Sequence, residues 1–570
     1  MPAVSIRNAL WPLAALLVAS TRTAALEKRQ EGLANFTWTS IDPSRDLQYH
    51  DCYNGYRCAR LEVPLDWTNT DNTFSSGVAI GIATLPAVVP DTNPSFGGTV
   101  LVNPGGPGGS GVEMVLLFGK YLQGILDGDK HYEILGFDPR GVGSSTPSSS
   151  CYANILNRVM DVVQQGGMPP VGLGDVGLNL NYQAAAGFGQ LCGQQAGQES
   201  IFAHMSTASV ARDMLEIVER VDAASNRARI NSSVPRGANK KPLLQYLGVS
   251  YGTILGNTFA SMYPERVGRM VLDSVADADD YISGTWRKNL DDTESVIDYF
   301  YQVCFDAGDV CPLRQGQDQS AADVRGRVDA FIQTLETNPI SVAQDGRVRL
   351  LTSYAVRSTI RQTVYSPVCG YEPLAIALAD SVLKGNHTLI LSSSGGLCTR
   401  IIPNHVPVDC PWCAEASFGI LCGDSASLAA KDGRNVSWAR EEVDFHQKQS
   451  STAGEPWSRI PLSCVNWQFK PKYTFSGPFG SSVPVLLLSN RHDPATPLAN
   501  AFALSRRHNG SAVVVQESYG HSALLVSTSN CTAEIVRRYF STGQLPANGT
   551  SCAADCAVSI PFSACPGLIE

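Results

Sequence analysis

The sequence predicts an α/β fold, with a mostly parallel central sheet covered by helices on both faces. Three observations carry that reading. Six short apolar runs, "GTVLVNPGG", "YEILGFDPRG", "LLQYLGVSYG", "RMVLDSVAD", "VPVLLLSNRHD" and "AVVVQESYGHS", each close on Gly, Asp or Ser. Between them lie amphipathic stretches such as "TASVARDMLEIVERVDAA", whose apolar residues recur at helical spacing. The reactive residue types cluster just past the ends of the apolar runs, where a sheet covered on both faces gathers its chemistry.

The chain starts with Arg7, an apolar run from Ala9 to Ala19 and then small residues. That layout predicts a secretory signal over residues 1–25, because the run is too short to span a bilayer. A short pro-segment, 26–29, ends on the dibasic pair Lys28-Arg29 and would leave Gln30 as the mature start. No later run is apolar for long enough to cross a membrane, so no membrane anchor is expected. Secretion accounts for the 16 cysteines, scattered singly rather than in metal-ligand clusters. "CPWC" at Cys410–Cys413 lacks a thioredoxin-like context and reads as structural. Three local pairs are expected: Cys52–Cys58, Cys304–Cys311 and Cys531–Cys552. Seven Asn-x-Ser/Thr sequons, at Asn35, Asn231, Asn386, Asn435, Asn509, Asn530 and Asn548, fit an exported glycoprotein.

Bulk composition narrows the class further. A chain of 570 residues, 44% hydrophobic and 17% charged, has enough material for a large core and more than one structural unit. A net charge of −9 argues against nucleic acid or anionic membrane as a main partner. Strand-like runs are dense from about Gly98 to Ala276 and return near Val483. The expected organisation is a core in two parts, 30–279 and 464–570, with a helical, loop-rich cap inserted at 280–463. An insertion of that size between core strands reads as a lid over the sheet's active edge.

The chemistry begins at "GVSYG". A strand entering a sharp turn and then a helix would place Ser250 in a strained geometry, with its hydroxyl exposed above the sheet edge. Gly248 and Gly252 mark the positions where a Cβ would strike the neighbouring strand or helix. Serine needs a base, and His521 in the Gly-His-Ser loop after the last apolar run is the best placed of nine histidines. Histidine needs an acid, and Asp493 in "SNRHDPATP" ends the preceding strand. The order Ser250, Asp493, His521 is that of α/β-hydrolases. Asp273, the rival acid, reads as a hydrogen-bonding residue in its turn, and His492 as structural. "LVNPGGPGGSG" lets backbone N–H groups approach a substrate oxygen, so Gly106 (or Gly105) and Tyr251 are the expected oxyanion donors. The loop lacks a Gly-Lys-Ser/Thr ending, so a phosphate cradle is not expected. No metal or organic cofactor is called for.

Together "NPGGPGGSG", "DPRGVGSS", "GVSYG", "DPATP" and "YGHS" resemble the secreted tripeptidyl-aminopeptidase-like branch of the prolyl-aminopeptidase serine peptidases, within the α/β-hydrolase superfamily. The likeness covers both core segments and fades in the cap. It implies an α/β-hydrolase fold, with Ser250, Asp493 and His521 catalytic and Gly106 and Tyr251 at the oxyanion hole. It also implies release of short peptides or single residues from free N-termini, without a cofactor. Some relatives count as carboxylesterases, so an ester hydrolase with the same triad stays open, as does, more remotely, an inactive binding protein. The oxyanion loop departs from the His-Gly-Gly-Pro-Gly usual in prolyl aminopeptidases, reading Pro104-Gly105-Gly106-Pro107-Gly108. An aminopeptidase must hold an α-ammonium group. An acid from the cap, or from the turn Asp277, Asp279, Asp280, is therefore expected in the pocket.

Overall fold

The computed structural model describes residues 36–69, 77–196, 200–231, 241–344, 346–392, 414–556 and 558–560. The expected signal and pro-segment, Asn35 and the "CPWC" run lie outside these residues, as does the side chain of Asn231. Twelve strands occur among them: β1 His50–Cys52, β2 Tyr56–Pro64, β3 Gly77–Leu85, β4 Phe96–Asn103, β5 His131–Phe137, β6 Leu244–Val249, β7 Val267–Asp273, β8 Ile340–Gln344, β9 Arg347–Leu351, β10 Leu486–His492, β11 Ala512–Tyr519 and β12 Thr550–Ala553. Ten of them form one sheet in the order β1-β2-β3-β5-β4-β6-β7-β10-β11-β12. The pairings from β5 through β12 are parallel, and those among β1, β2, β3 and β5 are antiparallel.

Each of the six apolar runs is a strand of this sheet. They lack polar alternation because both faces are buried. Leu101, Leu135, Tyr246, Leu272, Leu487 and Val513 face one core, while their chain neighbours Val100, Ile134, Leu247, Val271, Leu488 and Val514 face the other. Register sets the active edge. Asp273 at the end of β7 stands opposite Val249 of β6 on one side and Leu488 of β10 on the other. The residues that follow these strand ends therefore emerge side by side.

The segment between β7 and β10 is mainly helical, as expected, and packs a separate hydrophobic cluster around Phe300, Tyr371, Ile360 and Val328, which Cys556, Val558 and Ile560 join. It differs from the expectation in carrying the β8–β9 hairpin, whose partly exposed strands have little apolar signal. A second difference lies in the β5–β6 crossover. Its helices Ile155–Gly166 and Gly174–Ala196 pack against the 280–463 segment. Arg158 Nε donates to Glu415 at 2.9 Å, Tyr182 Oη donates to the Arg434 carbonyl at 2.9 Å, and Val171 and Leu178 join Ala439, Val443 and Leu462. A helix that covers another helix has the same period as one that covers a sheet, so the sequence pattern did not separate the two.

Cys52–Cys58, Cys304–Cys311 and Cys531–Cys552 are disulfide-bonded, and Cys151–Cys192 and Cys422–Cys464 add two longer links. No described cysteine is free. Cys531–Cys552, 21 residues apart, ties the helix Asn530–Thr542 behind the His521 loop to edge strand β12. Replacing both cysteines with alanine is expected to lower unfolding free energy by about 3 kcal/mol in the loop-entropy model. Denaturant titration of the wild type and the double variant measures this, and coincident curves would refute the estimate. Asn386, Asn435, Asn509, Asn530 and Asn548 are all exposed, so each sequon is sterically open. No helix among the described residues is long and apolar enough to cross a membrane.

Candidate active site

Ser250 sits between β6 and the helix Tyr251–Met262 with φ 58° and ψ −125°, a conformation that side chains other than glycine rarely adopt. The strain is tolerated because the neighbours are small. A Cβ on Gly248 would come within 2.4 Å of the Gly252 carbonyl oxygen, and one on Gly252 within 2.7 Å of the Asn103 carbonyl. The backbone is further held by a hydrogen bond from Ser250 N to the Asp273 carbonyl, 3.0 Å. The sharp turn lifts the Ser250 side chain out of the sheet and into a cavity.

Asp493 follows β10 and is fully buried. Its carboxylate accepts from His521 Nδ1 at 2.9 Å, from Ser274 Oγ at 2.7 Å, and from Thr496 through both N (2.8 Å) and Oγ1 (2.9 Å). Burial alone would raise its pKa, but the His521 charge and these donors outweigh burial and hold it below the usual carboxylate range. His521 shows the complementary balance. Burial works to lower its pKa, yet the Asp493 charge and hydrogen bond leave it raised above the ordinary histidine value. The pair is thus electrostatically matched, with the imidazole turned towards the cavity that Ser250 also lines.

Asp273 does not bond within its own turn, as the sequence reading had it. Its fully buried carboxylate instead receives Ser522 Oγ, Ala523 N (2.8 Å) and Leu524 N (3.1 Å), the residues just past His521. Ser274 adds a second brace, accepting from Ser522 N at 2.8 Å while donating to Asp493. Asp273 therefore anchors the histidine loop, and burial raises its pKa. His492 points away from Asp493 and stacks on Tyr519, with ring centroids 4.7 Å apart. Ser274 and Thr496 were not singled out from sequence, because serine and threonine at strand ends are too common to carry a signal.

The glycine loop after β4 packs directly on the elbow. Gly105 has φ 95°, and a Cβ there would lie 2.5 Å from the Val249 carbonyl oxygen and 2.8 Å from Tyr251 N. Gly106 and Tyr251 both line the cavity. The loop leads into the helix Gly111–Leu126, whose N-cap Ser110 donates to buried Asp138 of "DPRGVGSS". Asp138 also accepts from Ser144 N at 2.7 Å, and buried Arg140 forms a two-pronged bond to Asp213 (2.7 and 2.6 Å). That motif is a scaffold beneath the site and supplies no side chain to the cavity.

The cavity holds about 420 Å³, with the elbow and the glycine loop on one side and residues of 280–463 on the other. Its lining is mostly apolar, with Tyr281, Trp286, Tyr365, Phe418 and Trp457 as the large aromatic side chains. No described Asp or Glu lines it, contrary to expectation. Asp277 pairs with Lys288 at 2.7 Å, Asp279 pairs with Arg507, and Asp280 accepts from the N–H groups of Arg287 and Lys288. Asp277 and Asp280 are taken up by their own loop, and Asp279 by Arg507, 228 residues away in sequence.

Residues 98–299 match the family described as "alpha/beta hydrolase fold", and residues 450–552 match "TAP-like protein". The chain is a TAP-like α/β-hydrolase. It is similar to a protein named tripeptidyl aminopeptidase from Streptomyces lividans, 24% identical over 93% of this chain and 89% of that one. It is also similar to two Mycobacterium tuberculosis proteins. One, named serine protease Hip1, is 26% identical over 87% of each chain; the other, named carboxylesterase B, is 28% identical over 87% of this chain and 86% of that one. The TAP-like match includes β10, β11 and β12, the part of the fold that carries Asp493 and His521.

Proposed function

We propose that this TAP-like hydrolase is a secreted serine peptidase that removes short peptides or single residues from free N-termini. Ser250 is the nucleophile, His521 its general base, and Asp493 the acid that holds the imidazole tautomer. The N–H groups of Gly106 and Tyr251 are the oxyanion donors, and residues 280–463 form the cap. The observation that carries this reading is the buried Asp493–His521 pair, whose imidazole lines the same cavity as a strained serine at a strand-to-helix turn. The names of the S. lividans and Hip1 relatives support peptide substrates.

The chemistry follows from the geometry. Ser250 Oγ attacks the scissile carbonyl carbon while His521 Nε2 takes its proton. The buried carboxylate of Asp493 accepts from Nδ1 and stabilises the imidazolium that forms. Negative charge on the carbonyl oxygen develops against N–H groups that are already oriented, so little reorganisation is needed. His521 then gives the proton to the departing amine, and water hydrolyses the acyl-enzyme by the same route in reverse. A covered cavity of this size admits a chain end and excludes folded protein.

A second reading, a secreted ester hydrolase with the same residues, is favoured by one observation: the lining is mostly apolar and contains no described carboxylate. In the peptidase reading the α-ammonium rests on the aromatic faces rather than on an acid. N-acetylation of a short peptide p-nitroanilide should then lower kcat/KM by roughly thirtyfold, the scale of a desolvated cation–π contact. Measuring kcat/KM for free and acetylated forms beside simple p-nitrophenyl esters decides between the readings. Ester turnover without any peptide cleavage would move the assignment to the ester hydrolase.

A further inference from the structure

We propose that Arg361 binds a carboxylate of the substrate, so that the cavity selects short peptides that carry a negative charge on the leaving-group side. This rests on the reading of the cavity as a peptide-binding site. Arg361 lies near the end of the helix Ser353–Thr363 and is the sole Arg, Lys, Asp or Glu among the described residues lining the cavity. Its guanidinium stands 6.0 Å from the ring centroids of both Tyr365 and Trp457. Its Nε is buried without a hydrogen-bond partner, and no described carboxylate lies within ion-pair distance.

Most arginines around it are paired, and Arg459, which also has an unpartnered Nε, does not line the cavity. Arg357, one turn earlier on the same helix, is paired with Glu336 at 2.7 Å and Glu455 at 3.4 Å. Arg158, Arg287 and Arg325 are likewise paired with acids. Arg361 is half-buried and touches the Tyr365 side chain, so part of its hydration is lost and a ligand carboxylate would supply a further acceptor. The planar fork of arginine matches a carboxylate through two parallel N–H···O bonds.

Position defines which end of the substrate is read. Tyr365, one turn beyond Arg361, meets the His521 ring edge-on with centroids 5.0 Å apart, and its carbonyl accepts from His521 N at 2.8 Å. The arginine is therefore on the histidine side of the cavity, where the departing amine is protonated. The carboxylate has two sources: the C-terminus of a short free peptide, or an acidic side chain next to the cleaved bond.

Two matched pairs separate these sources. Ala-Ala-Ala-Ala as acid and as amide varies the terminal charge, and Ala-Ala-Ala-Glu-amide against Ala-Ala-Ala-Gln-amide varies the side chain. Wild-type kcat/KM should favour the charged member of at least one pair by roughly ten- to a hundredfold, the scale of a charge-assisted hydrogen bond. In Arg361→Gln that ratio should fall to about one, while Arg361→Lys should keep part of it. Calorimetric binding of the same peptides to Ser250→Ala tests the subsite without turnover, so a failed hydrolase assignment is distinguishable from a failed subsite. Equal affinity and equal rates within both pairs would overturn the proposal. So would an Arg361→Gln variant that weakens charged and neutral peptides alike.

Discussion

Ser250→Ala is expected to fold, keep its disulfides and lose roughly a millionfold in kcat. The expectation follows from where the side chain sits. Ser250 is held in place by its backbone, through the bond from its N–H to the Asp273 carbonyl and through glycines that clear space around it. Its hydroxyl faces the cavity and supports no part of the core. Alanine has the same Cβ, so it meets the same backbone strain and no new clash. A fluorophosphonate probe should label the wild type at Ser250 and leave the variant unlabelled. A variant with unchanged thermal unfolding but wild-type turnover would remove Ser250 from the mechanism.

Asp493→Asn should lower kcat by roughly ten-thousandfold and also move the pH profile. His521 must be neutral to accept the serine proton, so activity rises as pH climbs through its pKa. In the wild type the Asp493 charge raises that pKa, which puts the acid limb of kcat/KM above the ordinary histidine value of 6.5. Removing the charge removes that support while burial still acts, so the limb of the residual activity should shift to lower pH. Asp273→Asn separates the two acids. Asp273 bonds to residues 522–524 rather than to the imidazole, so its loss should loosen the loop and lower stability more than it shifts the limb. An unshifted limb in Asp493→Asn with a shifted one in Asp273→Asn would reverse the two roles.

Much of the sheet was legible because parallel strands buried on both faces leave continuous apolar runs. The alternating and very short strands were not. β2 alternates and β12 has four residues with only Cys552 buried, so neither stands out from ordinary loops. The order Ser250, Asp493, His521 was visible because each residue follows a strong strand signal. The braces around them, Ser274 and Thr496, were invisible, since their meaning comes from partners 219 and 3 residues away.

The sequence by itself determined the core architecture, because burial on two faces and turn residues at strand ends are local properties of the chain. Tertiary structure alone decided the character of the cavity. Whether Asp277, Asp279 and Asp280 face a substrate or their own loop depends on competition with Lys288, Arg507 and nearby N–H groups. Whether Arg361 is neutralised depends on which carboxylates the packed helices bring within reach. Arg357 meets Glu336 and Glu455, while Arg361, one turn on, stands by the rings of Tyr365 and Trp457 and pairs with no described carboxylate. Charge pairing is set by distances across the fold, and spacing along the chain does not contain them.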